Sequence, residues 1–185
     1  MQTKYPTSKR TFLYIFFFLF CLKFYAQSGS KSLVVIDSYF ADKQQVINYL
    51  TSNEVVLQLT NSNNPWSDIR NELASNSTIK TIHLFVNASY NSLQMGGITY
   101  NLDSVNSEFE LGMLEGLYQG EHIQLLIYNC NLGSNTDGLA LIKAIGEKAY
   151  FNIGACTSCT SIFDAAFNFD YWSLSTSTTN SILTK

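Results

Sequence analysis

The sequence predicts an α/β domain, a three-layer α/β/α sandwich around a mainly parallel sheet. Two observations lead there. Five short runs are almost continuously apolar and rich in Val, Ile and Leu, as strands buried on both faces are. Most are separated by segments whose apolar residues recur at helical spacing, and strand–helix–strand alternation builds a parallel sheet covered by helices.

The elements follow in order. SLVVIDS (32–38) is the first strand and closes on Asp37; DKQQVINYLTSN (42–53) carries Val46, Ile47 and Leu50 at helical spacing. EVVLQLT (54–60) is the second strand, and in NNPWSDIRNELASN Pro65 suits a first helical position ahead of Trp66, Ile69 and Leu73. IKTIHLFV (79–86) is the third strand, and Gly96-Gly97 inside SLQMGGITYNL (92–102) signals a hairpin. Val105 to Leu117 read as a helix ending near Gly120, before a fourth strand, HIQLLIYN (122–129). A helix over 139–148 and a fifth strand, AYFNIGAC (149–156), follow. AAFNFDYWSLST (165–176) alternates like an edge strand or hairpin, and 177–185 reads as a flexible tail. Functional groups of such sheets gather beyond the carboxyl ends of the strands, here after Asp37, Val86, Tyr128 and Gly154.

The first 26 residues stand apart. Lys4, Lys9 and Arg10 precede an uncharged apolar run from Phe12 to Leu22, and Ala26 follows, the order of a secretory signal. An uncleaved anchor with Lys23 at the membrane interface is the alternative. Cleavage after Ala26 leaves one α/β domain over 27–176, and 7 basic against 14 acidic residues, a net charge of −7. Without a basic cluster such a domain cannot bind phosphates by counterion release, so nucleic acid is excluded as a partner. The expected location is secreted, periplasmic or cell-surface, with no integral membrane span once the signal is removed.

VNASYNS after the third strand and YNCNLGSNTDG after the fourth, with IHLF, SLQMG, NLDSV, LLIYNCN and FDYWSLST in this order, resemble the bacterial domain-of-unknown-function family numbered 4347. The likeness runs from about Ser32 to Thr176 and rests on order and spacing together. Members commonly sit at the N-terminal end of large repeat-containing surface proteins and adhesins. The family looks distantly like caspase and gingipain folds, so the resemblance implies a caspase-like sheet. Its third strand typically ends in Ser-His-Gly and its fourth in Gly-Cys, the positions of a cysteine peptidase dyad. Here those positions read Val86-Asn87-Ala88 and Asn129-Cys130, so the cysteine is kept and the histidine is replaced by Asn87.

An amide does not titrate near neutral pH, so Asn87 can neither stabilise a thiolate nor protonate a leaving group. Neither histidine substitutes: His83 lies roughly 13 Å down its strand from Asn87, and His122 some 26 Å from Cys130. His83 reads as a packed, partnered strand residue and His122 as a solvated one. Cys130 therefore has three readings: a nucleophile with a non-standard base, an inert half-buried residue, or a disulfide partner of Cys156 or Cys159. Cys156-Thr157-Ser158-Cys159 is a C-x-x-C with no second ligand pair, which favours a disulfide over a metal.

NLGSNTDG lacks the acids of a calcium loop and reads instead as a turn and N-cap, with Asp137 in the first helical turn. No cofactor is implied. Asn76-Ser77-Thr78 and Asn87-Ala88-Ser89 match the short glycosylation pattern. Trp66, Tyr90, Trp172 and the aromatic cluster 163–172 are either core or a face for a protein or surface polymer. Asp37, Ser89, Asn129 and Asn131 are binding candidates at the sheet edge. The expected function is a catalytically inactive, caspase-like exported module with a binding or accessory role. The alternatives are a cysteine peptidase or self-cleaving domain built on Cys130, and a redox module.

Overall fold

The computed structural model describes residues 31–117 and 122–183, so the leader lies outside the described residues. In chain order the elements are β1 (Ser32–Asp37), α1 (Lys43–Ile47), β2 (Glu54–Leu59), α2 (Pro65–Ser75), β3 (Thr81–Phe85), β4 (Asn87–Ala88), β5 (Leu93–Met95), β6 (Ile98–Tyr100), α3 (Leu102–Ser107) and α4 (Phe109–Glu115). β7 (Ile123–Ile127), a 3-10 turn (Leu132–Ser134), α5 (Thr136–Ala149), β8 (Phe151–Ala155) and β9 (Tyr171–Trp172) complete them. The central sheet has the order β2-β1-β3-β7-β8-β9. Its first five strands are parallel and only β9 is antiparallel, so the α/β sandwich with a mainly parallel sheet is what the chain builds. β4, β5 and β6 form a second, antiparallel sheet around the Gly96-Gly97 hairpin.

Side chains of the central strands alternate between two apolar layers, as a period of two requires. Leu33, Val35, Ile82, Leu84, Leu125, Ile127 and Ile153 face α2 and α5, meeting Trp66, Ile69, Leu73, Leu141, Ile142 and Ile145. Val34, Ile36, Phe85, Leu126 and Tyr128 face the other way, onto Val46 of α1 and onto Ile162, Phe167, Phe169 and Leu183. Fully burying one such side chain contributes about 1.5–3 kcal/mol, which is why both faces need a cover. Asparagines start the longer helices: Asn64 accepts from Ser67 N at 3.1 Å, and Asn135 from Asp137 N and Gly138 N at 2.9 and 3.1 Å.

The structure differs from the sequence reading at four places. α1 stops at Ile47 rather than running to 53, because Asn48, Tyr49 and Leu50 close back on the helix in tight turns. The helix expected over 105–117 is two helices broken at Glu108, whose extended backbone (ψ 111) ends α3 while its carboxylate caps α4 at Glu110 N. The aromatic run 165–176 forms a ladder only at Tyr171–Trp172; Phe167 and Phe169 alternate inward without a strand partner.

The segment expected as a tail is docked on the sheet. Gln124 of β7 donates to Ser177 Oγ at 2.9 Å and accepts from Thr179 Oγ1 at 2.5 Å, while Asn152 of β8 donates to Ser175 O at 2.8 Å. Ile182 N donates to Tyr128 Oη at 3.0 Å, and Leu183 is 5% exposed. Two amides inside otherwise apolar strands thus fasten the C-terminal segment. Among the described residues no helix is long and apolar enough to cross a membrane.

Candidate functional site

The carboxyl ends of β1, β3, β7 and β8 meet at one edge of the sheet, where the sequence places its candidate residues. Asp37 ends β1 and is 2% exposed. Its carboxylate accepts from Tyr39 N at 2.7 Å and from Gly96 N at 2.5 Å, tying the end of β1 to the hairpin turn. Gly96 has φ +60, and a β-carbon there would stand 2.8 Å from Ser62 Cβ, so the turn needs glycine.

Asn87 lies in β4, paired with Gln94, and its amide donates to Tyr39 O at 3.1 Å. It shares a small polar pocket of about 150 Å³ with Asp37, Tyr39, Gln94, Gly97 and Thr99. Ser89 Oγ binds within its own turn, to Asn91 Oδ1 at 3.1 Å and Ser92 Oγ at 2.8 Å. Asn129 Oδ1 accepts from Asn131 N and Leu132 N at 2.8 and 3.0 Å, and Asn131 O accepts from Ser134 Oγ at 2.6 Å. Every candidate binding side chain at this edge is engaged in holding a loop, except that Asn131 contributes through its backbone.

Cys130 leaves β7 and is bonded to Cys159, with Cα atoms 5.1 Å apart. Among the described residues the free thiol is Cys156, which is buried. Of the readings left open by the sequence, the structure contains the disulfide, and its partner is the second cysteine of the C-x-x-C. The bond joins the β7–α5 loop to the long irregular connection between β8 and β9, a segment that needs external ties to hold one conformation. A second tie comes from Asp170, which accepts from Thr157 N and Thr157 Oγ1, both at 2.8 Å. A third is steric: Gly133 lies so close over the end of β8 that a β-carbon would collide with Cys156 O. Asp170 and Gly133 were missed in the sequence; an acid within an aromatic run and a glycine just past the cysteine were the available signals.

The histidines stand away from this edge. His83 of β3 is in register with Leu126, four residues short of Cys130, about 13 Å along the strand. Its ring is 3% exposed and its Nδ1 lies 3.0 Å from Tyr128 Oη. Ile182 N–H donates to that phenol oxygen, so the Tyr128 hydroxyl links the His83 ring to the C-terminal segment. Burial pulls the His83 pKa down to about 4, with the Glu54 charge opposing, and pushes the Tyr128 phenol up to about 12. His83 is thus a partnered core residue. His122 is exposed at the other end of the sheet, its Nδ1 3.3 Å from Tyr150 O.

The suggested aromatic face divides. Trp66 is 0% exposed and packs edge-on against Tyr100, and Phe167 and Phe169 enclose Tyr128, so these are core. Tyr90, 59% exposed, is open to solvent near the sheet edge, as is Tyr39 at 61%. Among the described residues no group of three or more His, Cys, Asp or Glu side chains could hold a metal.

Chemically, the edge contains a disulfide, a set of amides and hydroxyls bound within loops, and a small polar pocket. Comparison with curated proteins and with solved structures returns no match. One family model matches residues 33–183, the same span that the two apolar layers and the docked C-terminal segment make into one body. The chain belongs to the family described as Domain of unknown function (DUF4347).

Proposed function

We propose that this chain is an exported, caspase-like domain without peptidase activity, serving as a binding or accessory module at the bacterial cell surface. The observation that carries the reading is the state of the β7 edge. The sulfur at the position of the family cysteine is spent in a bond to Cys159, and Asn87 donates to a backbone carbonyl. A thiol mechanism needs a thiolate and a titrating partner. The disulfide supports a compartment where such bonds persist, in keeping with the leader-like N-terminal sequence. The negative net charge favours a protein or surface polymer as partner over nucleic acid. The exposed Tyr39 and Tyr90, on loops at this edge, are the side chains available for contact.

The test is to reduce the purified protein mildly and present it with a thiol-directed activity probe and a peptide library, beside Cys130→Ser. No cleavage above the variant is expected. Turnover that disappears in Cys130→Ser would show a working peptidase and overturn the proposal.

A further inference from the structure

The three cysteines that follow the leader gather at one place. Cys130 and Cys159 share the disulfide, and the buried thiol of Cys156 belongs to the apolar cluster against which both of them pack. Cys156 and Cys159 also line one open pocket of about 190 Å³, together with Ser158, Thr160, Asp164 and Phe167. The chain bends between them, and Asp170 holds the bend through Thr157 N and Thr157 Oγ1. The disulfide residues are half-buried rather than sealed. A free thiol thus sits three residues from a bonded sulfur, across a bent segment, and lines the same pocket as that sulfur's residue.

We propose that Cys156 is an internal exchange thiol that displaces Cys130 from its disulfide. The Cys156 thiol gives its proton to water, and the thiolate sulfur attacks Cys159 Sγ. The Cys156–Cys159 bond forms as the Cys130–Cys159 bond breaks. The electron pair leaves on the Cys130 sulfur, which takes up a proton from water. One disulfide and one thiol stand on each side, so no oxidant or reductant is consumed. The product places a free thiol at the end of β7 and closes the C-x-x-C, releasing the β7–α5 loop from the β8–β9 connection. The edge therefore has two covalent states, one stapled and one carrying an accessible sulfur. The inference does not rest on the binding reading: a domain that cleaves peptides and one that only binds could each carry this exchange.

Tryptic peptides distinguish the two states. Cleavage at Lys80, Lys143 and Lys148 puts Cys130 in peptide 81–143 and both Cys156 and Cys159 in peptide 149–185. The intact oxidised protein is incubated with excess maleimide without reductant or denaturant, freed of reagent, and digested with trypsin without reduction at a mildly acidic pH, where trypsin still cuts and thiolate exchange is slow. The expected result is gradual conversion of cross-linked 81–143/149–185 into labelled 81–143 and an internally bonded 149–185. Persistence of the unlabelled cross-link, or label on Cys156 with the cross-link intact, overturns the proposal. In Cys156→Ser the cross-link is expected to survive the same incubation. Labelling of Cys130 at the wild-type rate in that variant would also overturn it. Where Cys156→Ser does not fold, the wild-type map decides alone, since it reports which sulfur carries the label.

Discussion

Removing the Cys130–Cys159 bond is the perturbation whose size the structure sets most directly. The bond spans a sequence separation of 29. Closing a loop of that length in the unfolded chain corresponds to roughly 3–4 kcal/mol at 25 °C in the loop-entropy model. For a domain of this size each kcal/mol moves the midpoint by about 2–4 °C, so Cys130→Ala with Cys159→Ala should lower Tm by about 6–16 °C. The single variant Cys130→Ala should lose nearly as much. Its remaining cysteines can close only the short 156–159 loop, which restrains the unfolded chain little. The assay is thermal and urea unfolding followed by tryptophan fluorescence, because Trp66 is fully buried and reports the core. The urea slope should also steepen in the variants, as an unstapled unfolded chain exposes more surface. A double variant that melts within about 1 °C of the parent with an unchanged slope would refute the reasoning.

Three further outcomes follow from the packing. Burial lowers the His83 pKa from 6.5 to about 4, so the unfolded chain binds a proton in that window that the folded chain refuses. This contribution is fully present above pH 6.5 and is lost as pH falls toward 4, by about 3 kcal/mol; His83→Leu should flatten that part of the stability–pH curve. An equal acid slope in parent and variant would count against it. Gly96→Ala combines a positive φ with a clash at Ser62 Cβ and should destabilise the chain by about 1–3 kcal/mol in urea titrations, and by more than Gly97→Ala, which also carries a positive φ (+89) but meets no atom within 4 Å. Truncation after Thr176 removes the covers of Gln124, Tyr128 and Leu183's pocket, and should cost at least about 2 kcal/mol by the same assay. A truncated chain of unchanged stability would show the docking to be incidental.

The parallel core was legible because its strands announce themselves locally. SLVVID, TIHLF and IQLLI are apolar on both faces, and only a covered parallel sheet accepts that pattern. Pro65 and the turn NLGSNTDG marked helix starts, and the structure assigns the caps themselves to Asn64 and Asn135. What escaped depends on partners distant in sequence. Nothing local distinguishes Gln124 and Asn152 from other strand residues, yet their amides fix the segment after Thr176. The break at Glu108 depends on one residue ending one helix and capping the next, which apolar periodicity passes over. The cysteine pairing was open for the same reason. Parallel register brings both Cys156 and the following loop beside the end of β7, and spacing alone cannot say which sulfur reaches Cys130. That position 87 holds an amide and not a titrating base was plain in the sequence, whereas its hydrogen bond to Tyr39 O required the small second sheet, whose strand β4 is two residues long.

In the resting protein the sulfur at the end of β7 is a staple to the loop that carries Cys159. Mass mapping of the oxidised chain, quenched in acid at the moment of purification and digested without reduction, tests it most directly. Peptide 81–143 is expected to be joined to 149–185, and of Cys130, Cys156 and Cys159 only Cys156 is expected to take an alkylating label once the protein is unfolded. Recovery of Cys130, Cys156 and Cys159 all as free, alkylated thiols from that quench would contradict it.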